Sequence, residues 1–146
     1  MKKRNVTVIA AIAVLYAVQG MAGATTEAPV TIDLELRSAQ GAQTSARFAD
    51  NEIELIGCGA RVTSDGINPV LNFGFCQATD ANGVNTVCFT QDPELVDAIN
   101  SIANYGFISF AWNENDECIS VRNSTQSIYI PDFKQAKSKK SKKSKK

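Results

Sequence analysis

The sequence predicts an α+β, mainly antiparallel β fold: one disulfide-stapled sheet or small sandwich with a single docked helix at about 93–104. Three observations carry this. Apolar and polar residues alternate with period two in several short runs separated by turn signals. All four cysteines, Cys58, Cys76, Cys88 and Cys118, fall in one 61-residue stretch. Only one segment has helical periodicity together with both of its end signals.

The N-terminus sets the compartment. Lys2, Lys3 and Arg4 form a basic region, Val6 to Val18 is almost uninterruptedly apolar, and Ala22-Gly23-Ala24 has the small-x-small pattern of a cleavage site. Residues 1–24 therefore read as a signal peptide and Thr25 as the start of the mature chain. An uncleaved anchor is the competing reading, but the run is shorter than the ~20 residues of a membrane span. Export to the periplasm or beyond follows, with a bacterial style of signal.

From Val30 to Arg37 the alternation is strict, which predicts a half-buried strand, and the small polar run Ser38 to Ser45 predicts a loop. A short strand over 46–49 and a tight turn at Asp50-Asn51 are expected next. Glu52 to Val62 resumes the strand pattern, with Gly57 and Gly59 flanking Cys58 as a bulge or a close backbone approach. Leu71 to Ala78 and Val87 to Thr90 form a hairpin about Asn82-Gly83. Asp92, Pro93 and Glu94 open the helix, whose stripe of Leu95, Val96, Ile99, Ile102 and Ala103 faces the sheet until Gly106 stops it. Phe107 to Trp112 reads as a buried strand. Cys118 to Arg122 follows with Ile119 and Val121 inward, and residues 126–130 form a last strand. One domain, 25–133, is bounded by a Lys/Ser-rich tail, 134–146, that reads as disordered.

An even cysteine count in an exported chain implies two disulfides. Zinc fits poorly, because no CxxC pair occurs and the chain has no histidine. Folding the hairpin about residue 82 sets Phe75 opposite Phe89 and Cys76 opposite Cys88. The expectation is thus Cys76–Cys88, leaving Cys58–Cys118, on a small-residue face, with Phe73, Phe75 and Phe89 packed beneath the helix. Cys58–Cys76 with Cys88–Cys118 stays open, since 52–62 and 71–78 can themselves form a hairpin.

Charge is sharply divided. Residues 25–133 contain no lysine and four arginines against all fifteen acidic residues, a formal −11, whereas 134–146 carry eight lysines and no acid, +8. Lys137, Lys139, Lys140, Lys142, Lys143, Lys145 and Lys146 make this an electrostatic tail, suited to salt-sensitive, nonspecific contact with an anionic surface. It has no interleaved aromatics or arginines, which argues against sequence-specific nucleic-acid binding.

Without histidine or a free thiol, serine- and cysteine-hydrolase machinery is excluded, and no phosphate-binding or dinucleotide motif occurs. Carboxylate pairs at Asp33/Glu35, Glu52/Glu54 and Glu114/Asp116/Glu117 are the remaining candidates for hydrolytic acid–base work, although i,i+2 carboxylates on strand faces are ordinarily solvated. Calcium is the one ion with a weak signal, in the oxygen-rich turns at Asp65, 80–83 and 113–117, none with EF-hand spacing. No other cofactor is expected, and no catalytic or metal-binding residue is assigned.

The runs IGCGARV, FGFCQATDANG, VCFT, FISFAW, EC and STQSIYIP, within 52–131, resemble small uncharacterised bacterial exported proteins with a four-cysteine framework. The resemblance implies export and that framework. The expected function is an exported, non-enzymatic binding or structural module that meets an anionic surface or a protein partner. The alternative is an inhibitor or immunity-type protein that sets its acidic body against a basic target.

Overall fold

The computed structural model describes residues 23–67 and 71–131. All but the last two residues of the expected signal peptide, and the whole tail from Lys134 to Lys146, lie outside the described residues. Two antiparallel sheets form the body. One has the order β1-β2-β6-β7 and the other β3-β4-β5. The strands are β1 (Thr31–Asp33), β2 (Ser38–Ala42), β3 (Leu55–Thr63), β4 (Leu71–Thr79), β5 (Asn85–Thr90), β6 (Phe107–Trp112) and β7 (Cys118–Ser124). Helix α1 (Gln43–Phe48) follows β2, and α2 (Pro93–Asn100) links the sheets.

The first strand is shorter than its alternation suggests. Asp33 Oδ1 accepts a hydrogen bond from the Leu36 amide at 2.8 Å, and Arg37 takes φ 47°. These reverse the chain after Asp33, so Leu34 and Leu36 end in a hairpin turn, 61% and 75% exposed. The segment expected as a loop supplies β2, an inner strand between β1 and β6. Its Ala39 and Gly41 are buried, and their small size suits a strand covered closely by its neighbours. Helix α1 stands where a short strand was expected. Tertiary bonds hold it, with the Gly106 amide donating to Gln43 Oε1 and the Gln43 amide to the Gly106 carbonyl.

The meander β3-β4-β5 follows the sequence closely. At its β4–β5 turn the buried Asp80 accepts from the amides of Asn82 and Val84 at 2.9 and 3.0 Å. The side chain thus satisfies donors that a tight turn leaves unpaired. Asp92 caps α2 as expected, accepting from Glu94 and Leu95 at 2.9 and 3.2 Å. The helix ends at Asn100, four residues before 104. There Ser101 bonds the Ala98 carbonyl through its hydroxyl, and the Ile102 amide bonds the Ile99 carbonyl, tightening and closing the last turn.

The last expected strand is instead a 3₁₀ turn, Ser127–Tyr129. It is pinned to α1 and the N-terminal segment rather than to a sheet edge, for Thr44 donates to the Tyr129 carbonyl and Thr26 to that of Ile128. The core lies between the sheets. Ile108, Phe110 and Trp112 of β6 alternate inward and meet Val30, Ala39, Ile56, Ile99 and three cysteines.

Candidate functional site

The expected disulfides are corrected by the structure: the bridges are Cys58–Cys76 and Cys88–Cys118, not Cys76–Cys88 and Cys58–Cys118. The expected register is present, with Cys76 opposite Cys88, but Cys76 is equally opposite Cys58 on its other side. In an antiparallel sheet a central residue forms a narrow, non-hydrogen-bonded pair with one neighbour and a wide pair with the other, about 4.5 and 5.5 Å between Cα atoms. The Cys58 and Cys76 Cα atoms are 4.0 Å apart. Theirs is the narrow pair, and Cys88 lies across the wide one.

Cys88 is then free to leave its own sheet, and a bulge brings it a partner. Ala111 faces Ser120 while Trp112 faces Cys118, so Ile119 is an extra residue in β7. One extra residue inverts the alternation. Cys118, expected to point outward, turns into the core beside Val121, and Ile119, expected inward, is 60% exposed. The Cys88–Cys118 bond therefore ties the two sheets together. No cysteine is free, which matches the reading of all four as structural staples.

The helix docks on the opposite face from the one expected. Register puts Ile56, Cys58, Ala60, Gly74, Cys76, Ala78, Cys88 and Thr90 on one face of β3-β4-β5. A Cβ built on Gly74 would stand 2.5 Å from Ile99 Cδ1 and 3.6 Å from Val96 Cγ2. Helix α2 thus presses its two buried residues into the space that Gly74 leaves. Only the small-residue face has room for it. Gly59 has a different use: it marks no bulge, the β3–β4 register being unbroken, and it makes room for the Phe75 ring, 3.1 Å from a Cβ placed there.

Phe73, Phe75 and Phe89 consequently form an open outer face with Leu71 and Val87. Phe89 is 50% exposed, Leu71 47% and Val87 40%. The thirteen residues that alternate onto this face include no carboxylate. They include Arg61, whose guanidinium stands 5.5 Å over the Phe75 ring. Beside Phe73 and Phe89, a cleft of about 870 Å³ is rimmed by Asp92, Leu95, Glu117 and Ile119. A second cleft, about 580 Å³, opens between α1 and the two ends of the described chain and includes Glu27, Asp50, Phe48 and Tyr129.

The carboxylates singled out in the sequence are spread through turns. Asp33 closes the β1–β2 hairpin. Glu54 accepts from the Val30 amide at 3.0 Å and from Asn51 Nδ2 at 2.6 Å, and Glu117 accepts from Asn113 Nδ2 at 2.6 Å. In the oxygen-rich turns, Asp65 and Asn113 side chains accept from backbone amides, as Asp80 does. Among the described residues no three His, Cys, Asp or Glu side chains converge as a metal-binding group.

The chain matches no protein-family model, no curated protein and no solved structure. Sequence reasoning missed the open aromatic face. The available signal was the pairing of a helix stripe containing β-branched Val96 and Ile99 with a sheet face whose central strand offers Gly74.

Proposed function

We propose that this chain is an exported, non-enzymatic binding module whose lysine tail makes nonspecific contact with an anionic surface. The observation that carries the reading is the division of charge between an acidic body, −11 over 25–133, and a basic end, +8 over 134–146. A run of closely spaced lysines without acids is attracted to any dense array of phosphates or carboxylates. An acidic body limits the contact to the tail. Export is supported by the signal-like N-terminus, and the two disulfides are compatible with an oxidising compartment. The non-enzymatic part rests on the lack of histidine and on the engagement of every cysteine in a disulfide, which removes the commonest bases and nucleophiles.

The test is cosedimentation of the mature chain with vesicles containing an anionic phospholipid, at low and high salt, beside a form lacking 137–146. Binding at low salt that is lost at high salt and on truncation is the expected result. Binding that survives truncation unchanged overturns the tail-mediated reading. Salt-sensitive retention of a protein from envelope extract by the truncated form favours an inhibitor or immunity-type role for the acidic body instead.

A further inference from the structure

We propose that the outer face of β3-β4-β5 is a self-association surface, on which a second copy of this chain packs face to face. The proposal does not depend on what the tail contacts. It starts from a contradiction in the surface: a body with fifteen carboxylates has none among the thirteen strand residues of the face that exposes Phe89, Leu71 and Val87. Two such bodies repel wherever their carboxylates meet. The aromatic face lets them approach while removing apolar area from water.

Its edges are also complementary to themselves. Strands β3 and β5 are the two edges of the sheet. Arg61, on β3, is opposite Phe73, and at the same end of the sheet β5 finishes at Thr90, opposite Gly74. The chain then runs to Asp92, which with Glu117 rims the cleft beside Phe89. A two-fold axis lying along β4 between the two faces lays β3 of one copy over β5 of the other. Arg61 then lies over the partner's Asp92 and the partner's Glu117, and the symmetry makes the same contact twice. An isologous pair needs a patch that complements itself, and a face with its cation at one edge and its anions at the other meets that condition.

Size sets the strength. Three strands of up to nine residues span about 14 by 30 Å, roughly 400 Å² of flat sheet per copy. A pair buries on the order of 800 Å², below the ~1,200–2,000 Å² of stable complexes. The dimer is therefore weak and reversible.

Analytical ultracentrifugation of the mature chain from about 1 μM to 1 mM reads this directly. The mean mass should climb toward twice the monomer. Phe89→Gln and Arg61→Glu, both at exposed positions, should each raise the midpoint at least tenfold, with unchanged near-ultraviolet circular dichroism showing that the fold persists. Arg122→Glu, on the outer side of the other sheet, should leave the midpoint in place. A monomer throughout the range overturns the proposal. So does a dimer indifferent to both Phe89→Gln and Arg61→Glu, which would place self-association elsewhere. Loss of vesicle binding in Phe89→Gln without any self-association of the parent would assign the face to a lipid surface, and overturns it equally.

Discussion

The two faces of β3-β4-β5 invert the ordinary relation between hydrophobicity and burial. The outer face carries Phe73 and Phe75, both half-buried, and Phe89, which is 50% exposed. The inner face carries Cys58, Gly74, Cys76, Ala78 and Cys88, and of these all but Cys58 are fully buried. Area alone would put the phenylalanines inside, since burying such a side chain is worth about 1.5–3 kcal/mol. Room decides otherwise. Helix α2 must lie between β3 and β4 of one sheet and β7 of the other, and bulky residues on the inner face would hold it off. A small-residue face gives up contact area, and covalent bonds across the narrow pair and between the sheets compensate for the loss.

The largest effect should come from severing the sheets. Replacing Cys88 and Cys118 together by alanine opens a 30-residue loop and should cost about 4 kcal/mol in urea denaturation. Removing Cys58 and Cys76 opens an 18-residue loop within a strand pair that stays hydrogen-bonded, at about 3 kcal/mol. The connectivity has a direct check. Combined cleavage after arginine and before aspartate should yield 50–61 joined to 65–79, and 80–91 joined to 116–122. A 65–79 fragment joined to 80–91 would restore the Cys76–Cys88 pairing and dissolve the contrast between the faces.

A smaller effect separates two glycines of the same sheet. Gly74→Ala drives a methyl group into Ile99 beneath the packed helix and should destabilise by about 2 kcal/mol. Gly59→Ala meets only the edge of the Phe75 ring at 3.1 Å. That ring lies on the open face and can move aside, while alanine relieves the entropic cost of glycine in a strand, so a change within about 0.5 kcal/mol is expected. Equal losses at the two positions would mean that the outer face is as tightly packed as the inner.

How much of this was legible depends on the element. The hairpin of β4 and β5, the strand β6 and the start of α2 follow from local signals that no tertiary contact opposes: alternation, Asn82-Gly83, and the Asp92-Pro93 cap. The region from Val30 to Phe48 resisted because local pattern and tertiary need disagree there. Leu34 and Leu36 alternate as a strand should, yet Asp33 and Arg37 turn the chain beneath them. Ser38 to Ala42 looks like a loop because an inner strand so closely covered is built of small residues. The disulfides failed for a subtler reason. Side-chain parity names the face of a strand but not which neighbour holds the narrow pair, and the single extra residue at Ile119 reverses parity without altering composition. The open aromatic face followed from the same gap, since hydrophobic pattern shows that Phe75 and Phe89 share a face but not which face the helix can reach.

A small effect on stability gives the sharpest test of the comparison. Phe89 is half exposed, so Phe89→Gln removes only part of a burial term and leaves no closed cavity. Its cost in the monomer should stay below about 1 kcal/mol, against about 3–5 kcal/mol when a buried phenylalanine such as Phe110 is cut to alanine. Thermal denaturation in dilute solution, where any dimer has dissociated, measures the monomer alone. A loss near that of Phe110 would show that Phe89 is packed like a core residue. A near-neutral result leaves a large apolar side chain retained at a position where folding gains little from it, and places its physical value in what the open face meets.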